Sequence, residues 1–151
     1  MSTSFSELEL AEKPAIETFQ SLGYEYLNCY HEVFNEDPNL ATLGRKTPMD
    51  VVLIPRLKSS LIFLNPEVSL EVIEQAIEKM TMDLSNLNPV VANKEIYSML
   101  MKGIDIEVRR AEGELEIENV KIIDFEEPNN NDFFLASQCR HHSLVNGVVH
   151  N

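Results

Sequence analysis

Residues 103–108 read Gly103-Ile104-Asp105-Ile106-Glu107-Val108, and it is here that the chain changes its period. Upstream, apolar residues recur every three or four positions. From Ile104 onward they alternate with polar ones. The first spacing is that of a helix with one buried face, the second that of a half-buried strand. Working back from Gly103, Asn93-Lys94-Glu95-Ile96 opens a short helix with apolar contacts at Ile96 and Leu100. Ser69 caps a helix whose face is Leu70, Ile73, Ile77 and Met80. Ile54, Leu57, Leu61 and Leu64 mark another, stopped by Asn65-Pro66. Thr47, Pro48 and Asp50 resemble a cap, a first-turn proline and an acidic first turn, although a helix starting there would be kinked at Pro55. Residues 24–46 show no long period; YEYLNCYHEVF has room for a short strand and NEDPNLATLGRK reads as a loop. At the N-terminus Ser6 and Glu9 have capping-box spacing, Ala15, Ile16, Phe19 and Leu22 follow at helical spacing, and Gly23 supplies a stop.

Working forward, residues 111–114 turn the chain at Glu112-Gly113, and Leu115 and Ile117 begin a return strand. Val120 and Ile122 hold the opposite parity, so a bulge or break near Asn119 is expected. A second turn covers 128–131, and 133–139 makes a third strand. Helices followed by an antiparallel meander predict an α/β layered domain with an α+β-like order, in one domain over residues 1–151. A third strand so late in the chain leaves an exposed sheet edge.

The formal net charge is -13, with 25% charged and 44% hydrophobic residues over 151 positions. That acidity excludes a generic attraction to polyphosphate, because non-specific DNA binding rests on lysine and arginine displacing counterions. No apolar run approaches the roughly 20 residues of a membrane span, and the start lacks the signature of a secretory leader. A cytoplasmic location and no membrane partner are expected. Cys29 and Cys139 are far apart in sequence and form no metal-binding pattern, so two buried reduced thiols are expected rather than a disulfide.

Several residues have the chemistry of a site. Glu12 lies near a helix start, where a carboxylate either complements the dipole or faces a metal-dependent centre as an auxiliary acid. Asp124, Glu126 and Glu127 close a predicted strand, where carboxylates can hold magnesium or simply form a solvated turn. Arg45, Lys46, Arg56 and Lys58 make a modest basic feature; Arg45 and Arg56 are the candidates to meet DNA phosphate, and solvated helix ends explain them equally well. Arg140, His141, His142 and His150 suggest a metal or phosphate site, but neighbouring histidines on a strand point apart and read better as surface. There is no phosphate loop, dinucleotide fingerprint, zincin pair or serine elbow.

Laid in order, the segments Ala11-Glu12-Lys13-Pro14-Ala15-Ile16, Leu22-Gly23-Tyr24-Glu25-Tyr26, Leu43-Gly44-Arg45 and Val51-Val52-Leu53-Ile54-Pro55-Arg56-Leu57 carry a resemblance. It continues through Leu64-Asn65-Pro66, Asn93-Lys94-Glu95-Ile96-Tyr97 and Gly103-Ile104. The final blocks are Val120-Lys121-Ile122-Ile123-Asp124-Phe125, Glu127-Pro128, Asn130-Asn131-Asp132-Phe133 and Ser137-Gln138. Over roughly residues 5–138 the chain closely resembles the N-terminal domain of the restriction (R) subunit of type I restriction-modification enzymes, with 139–151 as a divergent tail.

The resemblance implies a restriction-endonuclease-like fold of the PD-(D/E)xK type. It implies magnesium-dependent cutting of double-stranded DNA, an ATP-driven motor downstream, and a complex with modification and specificity subunits. In such a centre an aspartate and a glutamate hold the metal that activates water, and a neighbouring lysine stabilises charge. Here Gln138 is followed by Cys139-Arg140-His141-His142-Ser143-Leu144. Val145-Asn146-Gly147 echoes the family's turn, but the aspartate expected before it has no match, and no Glu-x-Lys follows. Of the active-site set only Glu12 has a counterpart, in a supporting role. Asp124 matches a family acid without filling the place of the metal ligand. The expectation is therefore a fragment or remnant of the DNA-cleaving subunit, an incomplete nuclease domain without endonuclease activity or cofactor of its own. The alternatives are a regulatory module that docks on a restriction-modification complex, or a small autonomous magnesium nuclease.

Overall fold

Alternation in Ile104–Arg109 is what organises the structure, because it gives one strand a fully apolar side for the helices to cover. The computed structural model describes residues 11–82, 87–111, 113–139, 143–145 and 148–150. In chain order these form α1 (Lys13–Ser21), β1 (Glu25–Asn28), α2 (Ile54–Leu64), α3 (Leu70–Met80), α4 (Pro89–Lys102), β2 (Ile104–Arg109), β3 (Leu115–Val120), β4 (Phe134–Ser137), β5 (Ser143–Val145) and β6 (Val148–His150). The fold is mixed α and β.

The core lies where α2 and α3 cover one side of the β2–β3 hairpin. Leu61 from α2, Val72, Ile73, Ala76 and Ile77 from α3, Ile104 and Ile106 from β2, and Val120 from β3 form one buried cluster. Leu57, Val68, Met80, Met99, Val108 and Ile122 pack around it. Asn65, buried just past α2, ties the helical layer to the hairpin: its Nδ2 donates to the Leu61 and Lys121 carbonyls and its Oδ1 accepts from the Lys121 amide. A buried side-chain amide bonded to three backbone groups is a specific latch, since its own donor and acceptor would cost free energy if left unpaired in the interior.

Local chemistry accounts for the helix ends, with some shifts from expectation. Ser69 caps α3 by accepting from the Val72 amide. The buried face of α3 is turned, however: Val72 and Ala76 join Ile73 and Ile77, while Leu70 is 58% exposed. α2 begins at Ile54 rather than near Thr47, with Pro55 in its first turn, where a missing amide proton costs nothing. Asp50 instead closes a separate turn by accepting from the Lys46 and Thr47 amides. α4 starts four residues before Asn93, because Asn88 caps the Val90 amide ahead of Pro89. Gly103 ends it at φ 76°, and a Cβ there would sit 2.6 Å from the Val120 carbonyl oxygen and from the Asn119 Oδ1. The capping box at Ser6 and Glu9 lies outside the described residues.

Strand pairing corrects the meander. β2 and β3 pair antiparallel in unbroken register from Ile104–Val120 to Arg109–Leu115, so no bulge occurs at Asn119. The parity conflict is resolved by exposure: Leu115 and Ile117 face solvent at 63% and 65% exposed. The third strand, β4, does not join this hairpin. It pairs parallel with β1, matching Glu25 with Phe134 and Asn28 with Ser137. A two-stranded β5–β6 hairpin covers part of the segment expected to be a tail.

Candidate functional site

The parallel β1–β4 pair gathers chemistry-bearing side chains at its C-terminal end. β1 runs on into Cys29, whose amide donates to the Ser137 carbonyl, and Tyr26 Oη lies 2.8 Å from Ser137 Oγ. Just past β4, Gln138 has φ 56°, in the left-handed region that non-glycine residues enter at a cost. Its Nε2 donates to both carboxylate oxygens of Glu12, at 3.1 and 2.9 Å. Glu12, immediately before α1, is thus held against the end of the β1–β4 sheet rather than standing free in solvent.

Next to it, Glu32 and Arg45 form a buried ion pair. Arg45 Nε and Nη2 donate to the two Glu32 carboxylate oxygens at 2.8 and 2.6 Å, Nη1 donates to the Asp50 carbonyl, and the guanidinium lies over the Phe34 ring. This bidentate fork is the strong form of a charged hydrogen bond. Hydrogen bonding to Glu32 raises the Arg45 pKa further against the opposing effect of burial. The structure therefore places Arg45, a candidate for meeting phosphate, in the interior at 3% exposed. Glu32 had no distinguishing mark in the sequence; acids in an irregular stretch give no periodic signal.

Arg56 projects from α2 onto Glu25 of β1 and onto Asp132, with its guanidinium over the Phe134 ring of β4. Burial pulls its pKa down and the hydrogen bonds to Asp132 and Glu25 outweigh that, so it is raised. The second DNA-contact candidate thus works as a clamp between α2 and the β1–β4 sheet. Lys46 pairs with Glu36, and Lys58 with Glu74.

Asp124 is buried within the turn it was expected to border. Its Oδ1 accepts from the Glu126 and Glu127 amides, its Oδ2 accepts from Asn130 Nδ2, and Lys121 Nζ lies 3.7 Å away. Asn131 completes the turn by accepting from the Asp124 amide and donating to the Asp124 and Pro128 carbonyls. The Asn130 hydrogen bond, and then the Glu127 amide, lower the Asp124 pKa below its ordinary value. Its contribution to stability is thus present above the ordinary aspartate range and is lost as pH falls through the lower folded value. Asp124→Ala should lower Tm by several degrees at neutral pH, with the gap from wild type narrowing in acid; a thermal-melt series across pH checks both.

Magnesium seeks several hard oxygen ligands in octahedral array. The described residues do not fit that need: the Asp124 oxygens are occupied by amide donors, and Glu12 is held by Gln138. Among the described residues, the one grouping of three or more metal-capable side chains is Cys29, Glu32 and Cys139, whose ligand atoms lie within 4.8 Å of one another. Two sulfurs and an arginine-paired carboxylate are not a magnesium site. Arg140, His141 and His142 lie outside the described residues.

A family described as the type I restriction enzyme R protein N terminus matches residues 4–147. The chain belongs to that family. The match runs past Gln138 and through Val145-Asn146-Gly147, so much of the segment read as a divergent tail lies within this R-protein N-terminal region. The endonuclease subunit of the HindI type I restriction enzyme of Haemophilus influenzae is 28% identical over 137 residues, which is 90% of this chain and 12% of that protein. A candidate type I restriction enzyme endonuclease subunit of Methanocaldococcus jannaschii, MjaIXP, is 28% identical over 131 residues, 85% of this chain and 12% of that protein. The chain therefore spans about an eighth of the curated relatives it matches. No solved structure matches it.

Proposed function

We propose that this chain serves as the N-terminal framework of a type I restriction DNA-cleaving subunit and has no endonuclease activity by itself. The occupation of its acids supports this reading. Asp124 is committed to a turn, Glu32 to Arg45 and Glu12 to Gln138, so each of these three acids already has a hydrogen-bonding partner within the chain. Glu12 keeps the supporting role the family resemblance gives it. Magnesium and ATP act only in the longer assembly, where the motor and the modification and specificity subunits bring the chain to double-stranded DNA. With a net charge of -13 the chain alone is a poor polyanion ligand. Among the described residues no helix is long and apolar enough to cross a membrane; a cytoplasmic site of action goes with the proposed role.

Supercoiled DNA incubated with the purified chain and magnesium, with and without ATP, should show no nicking above the level seen with Glu12→Gln. Cleavage that this substitution abolishes would overturn the reading in favour of an autonomous nuclease.

A second reading, a module docking on a restriction-modification complex, draws on the exposed Leu115 and Ile117 of β3. Native co-purification with the other subunits, lost in a Leu115→Ser/Ile117→Ser double variant, would favour it. Retention by that variant would remove this face from consideration.

A further inference from the structure

The strand pairing brings together the chain's two cysteines, residues 29 and 139 in sequence, and the proposed function makes no use of them. Simple continuation of the β1–β4 register, which matches Asn28 with Ser137, would set Gln138 beside Cys29. The left-handed turn at Gln138 breaks that alternation. It sends the Gln138 amide out to Glu12 and brings Cys139 onto Cys29, with their sulfurs within 4.8 Å. A disulfide sulfur pair is about 2.0 Å apart, so closure needs movement of under about 3 Å. Both thiols are free, Cys29 buried and Cys139 partly exposed.

We propose that Cys29 and Cys139 form a peroxide-responsive dithiol that closes reversibly into a disulfide between the ends of β1 and β4. The partial exposure of Cys139 makes it the thiol a peroxide reaches first. Its sulfur attacks one peroxide oxygen, the O–O bond breaks, and sulfenic acid and water form. The Cys29 sulfur then attacks the Cys139 sulfur, the S–O bond breaks, and a disulfide and a second water form. Across the two steps both sulfurs are oxidised, the peroxide is reduced, and the two thiol protons leave in water. Burial, and after it the hydrogen bond with Cys139, push the Cys29 thiol up to about 12, so Cys29 is not the initial target of a peroxide.

The same three side chains invite comparison with a zinc site. Zinc wants four ligands around an open centre. Here both Glu32 oxygens already accept from Arg45, whose positive charge beside the cluster disfavours a second cation. Geometry and charge both favour a bond between the sulfurs over a metal between them.

The test treats the reduced, folded 151-residue chain with hydrogen peroxide, denatures it, and alkylates the remaining thiols for intact-mass and peptide analysis. Titratable thiols should fall from two to none. The mass should drop by two hydrogens, with a peptide linking Cys29 to Cys139 in a monomer, and dithiothreitol should restore both thiols. Persistence of both thiols, cross-linking only between chains, or sulfinic acid at Cys139 with Cys29 untouched would overturn the proposal. In Cys29→Ser the sulfenic acid has no partner, so dimedone labelling of Cys139 should rise roughly tenfold over wild type. Equal labelling in the two proteins would count against closure. Because the wild-type mass measurement needs no variant, misfolding of Cys29→Ser leaves the test intact. Retention of one zinc per reduced chain, with both thiols protected and no disulfide on oxidation, would replace the dithiol with a metal site.

Discussion

Replacing Glu32 with Gln is expected to cost about 3–5 kcal/mol, because it removes the carboxylate charge that accepts two hydrogen bonds from the buried Arg45 guanidinium. Domains of this kind are stable by about 5–15 kcal/mol, so a loss of that size takes a large share of the total and the variant should melt well below wild type. The Arg45 side chain is 3% exposed and that of Glu32 0%, so water cannot readily take the place of the lost carboxylate charge. Arg45→Met should be similarly damaging from the other side. The double variant Glu32→Leu/Arg45→Met should recover much of either loss, since most of the penalty belongs to the unpaired charge rather than to the pair itself. Urea denaturation of the four proteins closes this cycle. If each single variant loses under about 1 kcal/mol, the pair is solvated in solution and behaves as a surface bridge. Lys58–Glu74 and Arg110–Glu116 are the natural controls: both are exposed, and neutralising either should be nearly silent.

The difference between these pairs also explains what could be read from the chain directly. Ile104, Ile106 and Val108 announced β2 because a half-buried strand imposes a period of two. Ser69 and Gly103 announced helix ends because a cap needs an acceptor and a left-handed exit needs a missing Cβ. The Asn88 cap has the same chemistry and was legible in principle; Pro89 directly after it is the first-turn signal. β4 was found as a strand, but its partner was not. A four-residue strand carries no mark of whether its neighbour is Leu115–Val120 or a segment more than a hundred positions away, and the contacts of Arg56 with Glu25 and Asp132 that accompany the β1–β4 pairing exist only in the folded chain.

The site divides in the same way. Glu12 was identifiable through its helix start and family block. Its partner Gln138 depends on a single left-handed φ that glutamine composition does not predict. Asp124 stood out as an acid at a strand end, and Pro-Asn-Asn-Asn as a turn, yet only the fold shows that the turn is wrapped around the acid. Arg45 looked like a surface cation because a loop arginine is usually solvated, and burial of a charge becomes visible only when its partner, thirteen residues earlier, is found beside it.

Ile73→Ala is the second change expected to have a large effect, at about 2–5 kcal/mol. Ile73 has 0% exposure and sits in the cluster shared by α2, α3 and the β2–β3 hairpin, so the lost methyl groups leave a cavity that three elements would have to move to fill. Ile73→Val should cost less, about 0.5–1.5 kcal/mol, because only one methylene is removed. The informative partner is Leu70→Ala on the same helix. Helical spacing alone puts Leu70 on the buried face with Ile73, whereas the structure leaves it mostly exposed and buries Val72 and Ala76 instead. Leucine and alanine have similar helix propensity, so Leu70→Ala should stay within about 0.5 kcal/mol of wild type. Urea midpoints measured at constant m-value separate the two faces directly. If Leu70→Ala is as costly as Ile73→Ala, α3 is rotated toward the face its sequence period suggests. A large loss at Ile73 with none at Leu70 would instead place the helix as the hairpin contacts do, with Val72, Ile73, Ala76 and Ile77 against the core.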